Sequence, residues 1–261
     1  MTLLDHAPAR LAAPPRDLLD SLAGPIDAAD LLPADALGDG FDAVQGRVRD
    51  WLRHWDAVPV PAFEPVRETH PAEERRSSLN ALPTRADGAA RFTASVYDPP
   101  ARDDAPLSWS RSWASVVRLP EAIEDGRLHY RFAVGSRLVL DGQAEVSLVS
   151  TSVHFGAVPD ARVASPFDAP GFRTPLARPL VGVQARDDAD ADASQSFEGS
   201  LDVKAGDAPA FAFVLGVDVL MRGGWIRVHD GSSTWVGPAG AGATGTIETR
   251  FTPAPLLAMF G

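Results

Sequence analysis

The sequence predicts a mainly β protein: an antiparallel β-sandwich of jelly-roll type, preceded by an N-terminal helical or extended segment. Three observations carry this. From Ala90 onward, apolar and polar residues alternate with a period of two. Turn dipeptides recur between these short runs with no helical pattern between them, which separates an antiparallel sandwich from a parallel α/β sheet. Before residue 88 the spacing is helical and repeatedly broken by proline. The expected division is therefore a helical and proline-rich arm over 1–88 and a sandwich domain over 89–261.

In the arm, Pro14 and Pro15 precede a short helix expected over Arg16–Ala23, and Pro25 and Pro33 stop anything longer. The strongest helical pattern follows Asp39-Gly40. Phe41, Val44, Val48, Trp51, Leu52 and Trp55 fall on one face, while Arg47, Arg49, Asp50 and Arg53 cover the other. Such a stripe packs on its own chain or on a neighbouring subunit, so these six apolar residues are the candidate interface. Val58–Pro65 holds three prolines in eight residues and reads as an extended connector. A second short helix is expected over Pro71–Leu82, with Glu73 and Glu74 near the positive end of its dipole. Asp87-Gly88 marks a turn.

Strands follow. Phe92, Ala94 and Val96 share one parity, as do Trp109, Trp113 and Val117 in the next run. Leu128, Tyr130, Phe132 and Val134 alternate with Arg127, His129 and Arg131, the clearest strand signal in the chain. Asp141-Gly142 separates two apolar runs and predicts a two-residue hairpin turn. Pro159–Pro179 reads as irregular and Arg186–Gln195 as an acidic loop. Further strands are expected over Phe197–Lys204, Ala210–Arg222, Trp225–His229, Thr234–Val236 and Gly245–Phe251. If Asp230-Gly231 is a hairpin turn, Ile226 faces Trp235 and His229 faces Ser232.

The composition narrows function by exclusion. The net charge is −11, and 23 of the 24 basic residues are arginines scattered along the chain. Nucleic acid and anionic membranes need clustered cations, so neither is an expected partner. The absence of cysteine removes disulfides, thiolate nucleophiles and cysteine metal sites. No stretch reads as a secretory signal or a membrane helix, and the expected location is the cytoplasm.

The motifs are weak individually. Gly240–Gly245 matches the GxGxxG string, but Thr246–Phe251 alternates like a strand where phosphate binding needs a helix N-terminus. A nucleotide site is rejected and no cofactor is expected. Asp188, Asp190 and Asp192 resemble the start of a calcium loop, yet the EF-hand positions six and twelve hold Ala193 and Gly199. A solvated acidic loop is the preferred reading, with calcium as the alternative. His129, His154 and His229 lie on expected strands and would make a site only if they converge on one face. There is no GxSxG elbow.

Four tryptophans, Trp109, Trp113, Trp225 and Trp235, are the candidate ligand-binding residues, because exposed aromatic rings on a sandwich stack on sugars. Core packing is the competing reading. The sequence thus favours a non-enzymatic interaction or structural module that partners itself or another protein, as a subunit of a homo-oligomer or larger particle. The alternatives are a carbohydrate-binding module using exposed tryptophans and a sandwich enzyme with a histidine-containing site. No catalytic constellation stands out, so the reading leans away from an enzyme.

Overall fold

The computed structural model describes residues 53–69, 84–86, 88–98, 107–169, 181–185, 189–239 and 244–254. The expected helices over Arg16–Ala23 and Pro71–Leu82 lie outside these residues, as do Phe41, Val44, Val48, Trp51, Leu52 and Asp188. The protein is mainly β, with one antiparallel and strongly curled sheet. Its strands are β1 (Asp56–Pro59), β2 (Glu64–Thr69), β3 (Thr84–Ala86), β4 (Ala89–Arg91), β5 (Ala94–Asp98), β6 (Leu107–Arg118), β7 (Gly126–Val158), β8 (Val181–Ala185), β9 (Ala189–Val203), β10 (Ala210–Val228), β11 (Ser233–Gly237) and β12 (Thr246–Pro253). Among the described residues a short 3₁₀ turn, Pro166–Asp168, is capped by Ser165. Among the described residues no helix is long and apolar enough to cross a membrane.

The sheet begins at Asp56, inside the stretch read as the arm, because β1 pairs with β12 and β2 with β6. Its organisation follows from β7, which spans 33 residues. Along one edge of β7, the segment from 210 to 253 runs antiparallel as β10, β11 and β12 in turn. Along the other edge lie β8 and β9. The outer side of the 210–253 segment is paired by β6, β5, β4 and β1. Four broken columns result, in the spatial order 56–118, 210–253, 126–158 and 181–203, with β2 and β3 added on the outer edges of β6 and β4.

Two expectations change here. Asp141-Gly142 makes no hairpin: β7 runs through it, with Gly142 opposite Ile226. Asp230-Gly231 does sit in a turn, since Ser232 N donates to His229 O at 2.9 Å. Yet β10 and β11 do not pair with each other; both pair with β7 and continue in one direction. Ile226 is therefore opposite Gly142, and Trp235 is opposite Gly135 and Ala89. The Ser232 hydroxyl fills the gap, accepting from Val139 N at 2.9 Å and donating to Val139 O at 3.1 Å. The buried Val139 amide thus keeps a partner where the ladder is interrupted.

The sheet closes on itself. Tyr130 and Phe155 belong to the same strand, and 25 extended residues would span roughly 80 Å. Their ring centroids are 5.4 Å apart. Phe132 meets Phe155 at 4.8 Å and Phe213 at 5.1 Å, so the two halves of β7 face each other across an aromatic core. Ser136 bonds Thr151 across the same space and Thr234 at 3.0 Å, satisfying three buried hydroxyls together.

The change of layer is local. Core-facing residues of β7 are even-numbered through Leu138 and Leu140, then odd from Ser147 through Val153. On β10 they are odd through Met221, then even at Ile226 and Val228. The two strands stay in register across this interval, the sign of a matched kink where both cross from one layer to the other. Gly223 and Gly224 carry it on β10, with φ of 62° and 97°.

At one end, three loops are tied by backbone bonds from Leu119, Ala122 and Ala161 to Pro209, Asp207 and Ala208. Arg162 braces them through Asp160 (2.8 and 2.9 Å), Glu121 (3.2 Å) and Gly206 O. The bonded guanidinium, with the Arg162 amide, holds the Asp160 carboxyl down at about 2, against an ordinary value of 3.8. That stabilisation is complete above the ordinary value and is lost as pH falls through the folded one. Asp160→Asn is therefore expected to lower the thermal midpoint at pH 7, with the gap from wild type closing as pH approaches 2. A midpoint series from pH 7 to pH 2 reads both.

Candidate functional site

Strand parity decides which aromatics reach the surface. Trp109 and Trp113 share the parity of Val117 and are each 1% exposed, with Phe92 stacked on Trp113 at 6.2 Å. They are core residues and offer no face to a ligand. Trp225 alternates with the buried Ile226 and Val228, so it points outward and is 40% exposed. Trp235 also lies on the outer side, half-buried, its ring covering the Cα of Gly135.

The residue that completes the site is Tyr97, for which the sequence analysis names no role. β5 places it directly opposite Trp225, and it is 52% exposed. Cross-strand neighbours hold their Cβ atoms about 4.5–5.5 Å apart, so the two exposed aromatic side chains leave the sheet side by side. The signal lay in Ala94-Ser-Val-Tyr-Asp98: Ala94 and Val96 are buried, which leaves Tyr97 as an aromatic on the polar parity.

The ladder extends this surface into polar ground. Gln143 flanks Trp225 from β7. One step along, at roughly 7 Å for two residues of strand, Ser95, Arg227 and Asp141 form a second outward row. Beyond it, Thr93, Ser95, Arg227, His229, Asp230 and Gly231 help line a hollow of about 430 Å³. His229 Nε2 lies 3.2 Å from Asp141 Oδ2 and fixes that carboxylate at the rim. An apolar ring surface beside a hollow rich in hydroxyl, guanidinium, imidazole and carboxylate groups suits a ligand with one apolar face and many hydroxyls.

The three strand histidines do not converge. His129 lies opposite Arg250 and Ser200, His154 opposite Val214, and His229 follows the end of β10. Burial holds the first two below the ordinary imidazole range, and Arg250 and Arg127 add to the effect at His129. The parity of β7 puts His129 and His154 on the outer sides of opposite layers. A shared histidine centre is therefore excluded by register.

The acidic stretch is not a loop from Ala189 onward. Asp190 and Asp192 stand on β9, facing outward. The Asp190 carboxylate is taken by Arg137 at 2.6 and 3.1 Å, which also holds it below the ordinary range. Among the described residues no group of acids and histidines could hold a metal ion. Of the candidate interface, Trp55 is the described member. It packs on its own sheet, with the Arg131 and Arg250 guanidinium carbons 4.3 and 4.8 Å from its ring centroid. Strand β12 follows Gly245, as the alternation predicts, in place of the helix a phosphate-binding loop requires.

The sequence matches no protein-family model, and no curated protein aligns with it. Among solved structures it is similar in part to the carbohydrate-binding module TmCBM61 in complex with β-1,4-galactotriose, at 12% identity and a TM-score of 0.24. That overlap covers 56% of this chain and 69% of the module. It is also similar to a CBM4 structure, at 9% identity and a TM-score of 0.16, covering 62% of this chain and 81% of that one. The enzymatically active domain of tailspike protein 4 from bacteriophage CBA120 overlaps at 14% identity and a TM-score of 0.18, over 62% of this chain and 19% of that one. Scores this low describe partial overlap of strands. The functional reading rests on the residues above.

Proposed function

We propose that this chain is a non-catalytic carbohydrate-binding module of jelly-roll type whose ligand stacks on Trp225 and Tyr97. The observation that carries this reading is the pairing of two exposed aromatic rings in adjacent strands, next to a polar hollow. Scattered surface aromatics need no explanation, but two exposed aromatics directly opposite each other on a hydrogen-bonded ladder are brought together by the backbone itself. Gln143, Arg227 and the hollow beyond supply directional partners for hydroxyls. This places the binding of a saccharide ahead of the structural-subunit reading, for which Trp55 gives support only within its own chain.

The test is direct. Trp225→Ala removes the larger ring from an outward position, so the thermal midpoint should stay within a few degrees of wild type. Affinity for any glycan found on an array should fall roughly 30-fold or more, the loss expected of an aromatic anchor worth at least about 2 kcal/mol. Tyr97→Ala should lower affinity in the same direction. Undiminished binding by both variants would remove the aromatic surface from the mechanism, and an array without hits would overturn the carbohydrate reading.

A further inference from the structure

Resting on the carbohydrate-binding reading, we infer that the saccharide is acidic, with a uronate carboxylate held by Arg227 while its ring stacks on Trp225. Several outward arginines of the sheet are engaged by carboxylates. Arg127 is bonded to Asp202 at 2.8 Å, Arg131 to both oxygens of Glu248 at 2.9 Å, Arg137 to Asp190, and Arg222 lies 3.3 Å from Glu145. Each of these guanidinium groups has a carboxylate on a neighbouring strand, directly opposite for Asp202 and Glu248 and out of register for Asp190 and Glu145.

Arg227 has no such carboxylate; Arg91 and Arg118 also lack an ion pair among the described residues, but Arg227 is the one that stands beside the exposed aromatic pair and lines the hollow. It is exposed, points into the hollow, and has no ion pair or hydrogen bond among the described residues. Its partner in the ladder is Asp141. That carboxylate is engaged instead by His229 at 3.2 Å. The second acid of the hollow, Asp230, lies in the turn past His229, on the side away from Trp225.

Arg227 leaves the strand roughly 7 Å from Trp225, on the same outward side, so its guanidinium is placed to meet a substituent of a sugar stacked on that ring. A planar carboxylate fits that fork through two parallel hydrogen bonds, where a hydroxyl makes only one. Ser95 and Thr93 then face the remaining hydroxyls. Asp141 and Asp230 sit on either side of this point and disfavour any anion that is not aligned on the guanidinium, so the site selects for one carboxylate rather than for negative charge in general.

The probes are an oligogalacturonate of defined length and its fully methyl-esterified form, which keep the sugar and remove only the charge. Wild-type protein should bind the acid at least about tenfold tighter than the ester, a difference of about 1.4 kcal/mol. Arg227→Met keeps the aliphatic bulk and should abolish that preference. Arg227→Lys should restore part of it, because charge returns without the fork. Trp225→Ala should weaken both probes together. Equal binding of acid and ester by wild type, or a preference that survives Arg227→Met, would overturn the acidic assignment. If neutral glycans bind and neither probe does, the acidic assignment fails and the carbohydrate reading stands. If no glycan binds, the carbohydrate reading itself fails.

Discussion

Phe132→Ala is expected to cost about 3–5 kcal/mol, the usual range for deleting a buried phenylalanine side chain. Phe132 is fully buried and its ring touches Tyr130, Phe155, Phe197 and Phe213 at centroid distances of 6.3, 4.8, 5.6 and 5.1 Å. These partners come from both halves of β7 and from β9 and β10. The cavity would open at the point where the two layers face each other, and rings fixed on separate strands cannot collapse into it. For a domain of this size the loss corresponds to a fall in thermal midpoint on the order of 10 °C. Equilibrium urea denaturation measures the difference. A cost below about 1 kcal/mol would mean that the two halves of β7 are not held together by this cluster.

Gly224→Ala should damage both fold and binding. Gly224 has a φ of 97°, which an L-residue rarely adopts, and an added Cβ would overlap Gln143 O in the paired strand. Neither fault can be relieved alone. Rotating φ breaks the kink that carries β10 between layers, while keeping it drives the methyl group into β7. The expected cost is about 2–4 kcal/mol, by combining left-handed strain with a backbone clash. Because Trp225 is the next residue, glycan affinity should fall even in the fraction that remains folded. Gly206→Ala is the control: its φ is 87°, but nothing lies within 4 Å of the added atom. It should cost only the backbone strain and leave binding intact. Matching losses in the two variants would show that close packing at the kink is unimportant.

Much of the strand content was legible from alternation alone. The parities of Phe92–Val96, Trp109–Val117 and Leu128–Val134 all predict which side meets the core, and the structure buries Phe92, Trp109 and Leu128 as those parities require. What alternation cannot reveal is where a strand ends when a turn dipeptide interrupts it. Asp230-Gly231 sits in a turn between β10 and β11, closed by the bond from Ser232 N to His229 O. Asp141-Gly142 lies in the middle of a strand, because Trp225 O packs where a side chain at Gly142 would be. The same dipeptide serves a turn in one place and a close approach in the other, and only the partner strand distinguishes them.

The site was legible in part for the same reason. Trp225 was recognisable as outward because Ile226 and Val228 follow it on the apolar parity. Trp109 and Trp113 could have been assigned to the core from Val117, their partner in parity. Tyr97 was missed because its importance comes from its position opposite Trp225, a pairing between residues 128 positions apart. Arg137 as the partner of Asp190 was likewise out of reach, since it depends on the long-range pairing of β7 with β9.

The column order has a consequence for how the protein is made. Apart from its internal β2–β6 and β3–β4 pairs, the segment completed first, 56–118, pairs among the described residues only with the one completed last, 210–253. Between Arg118 and Ala210 the nascent chain must lengthen by 92 residues, about 5–20 s at the roughly 5–20 residues per second of synthesis. Throughout that interval the edge of β6, the strand that carries Trp109 and Trp113, lacks the partner strand 210–221. Residues 126–158 and 181–203 can meet each other earlier, but their pairing does nothing for the waiting segment. Translation speed and chaperone supply are therefore expected to govern the yield of folded protein, with the tryptophan-bearing strand the one most exposed to premature association on the ribosome.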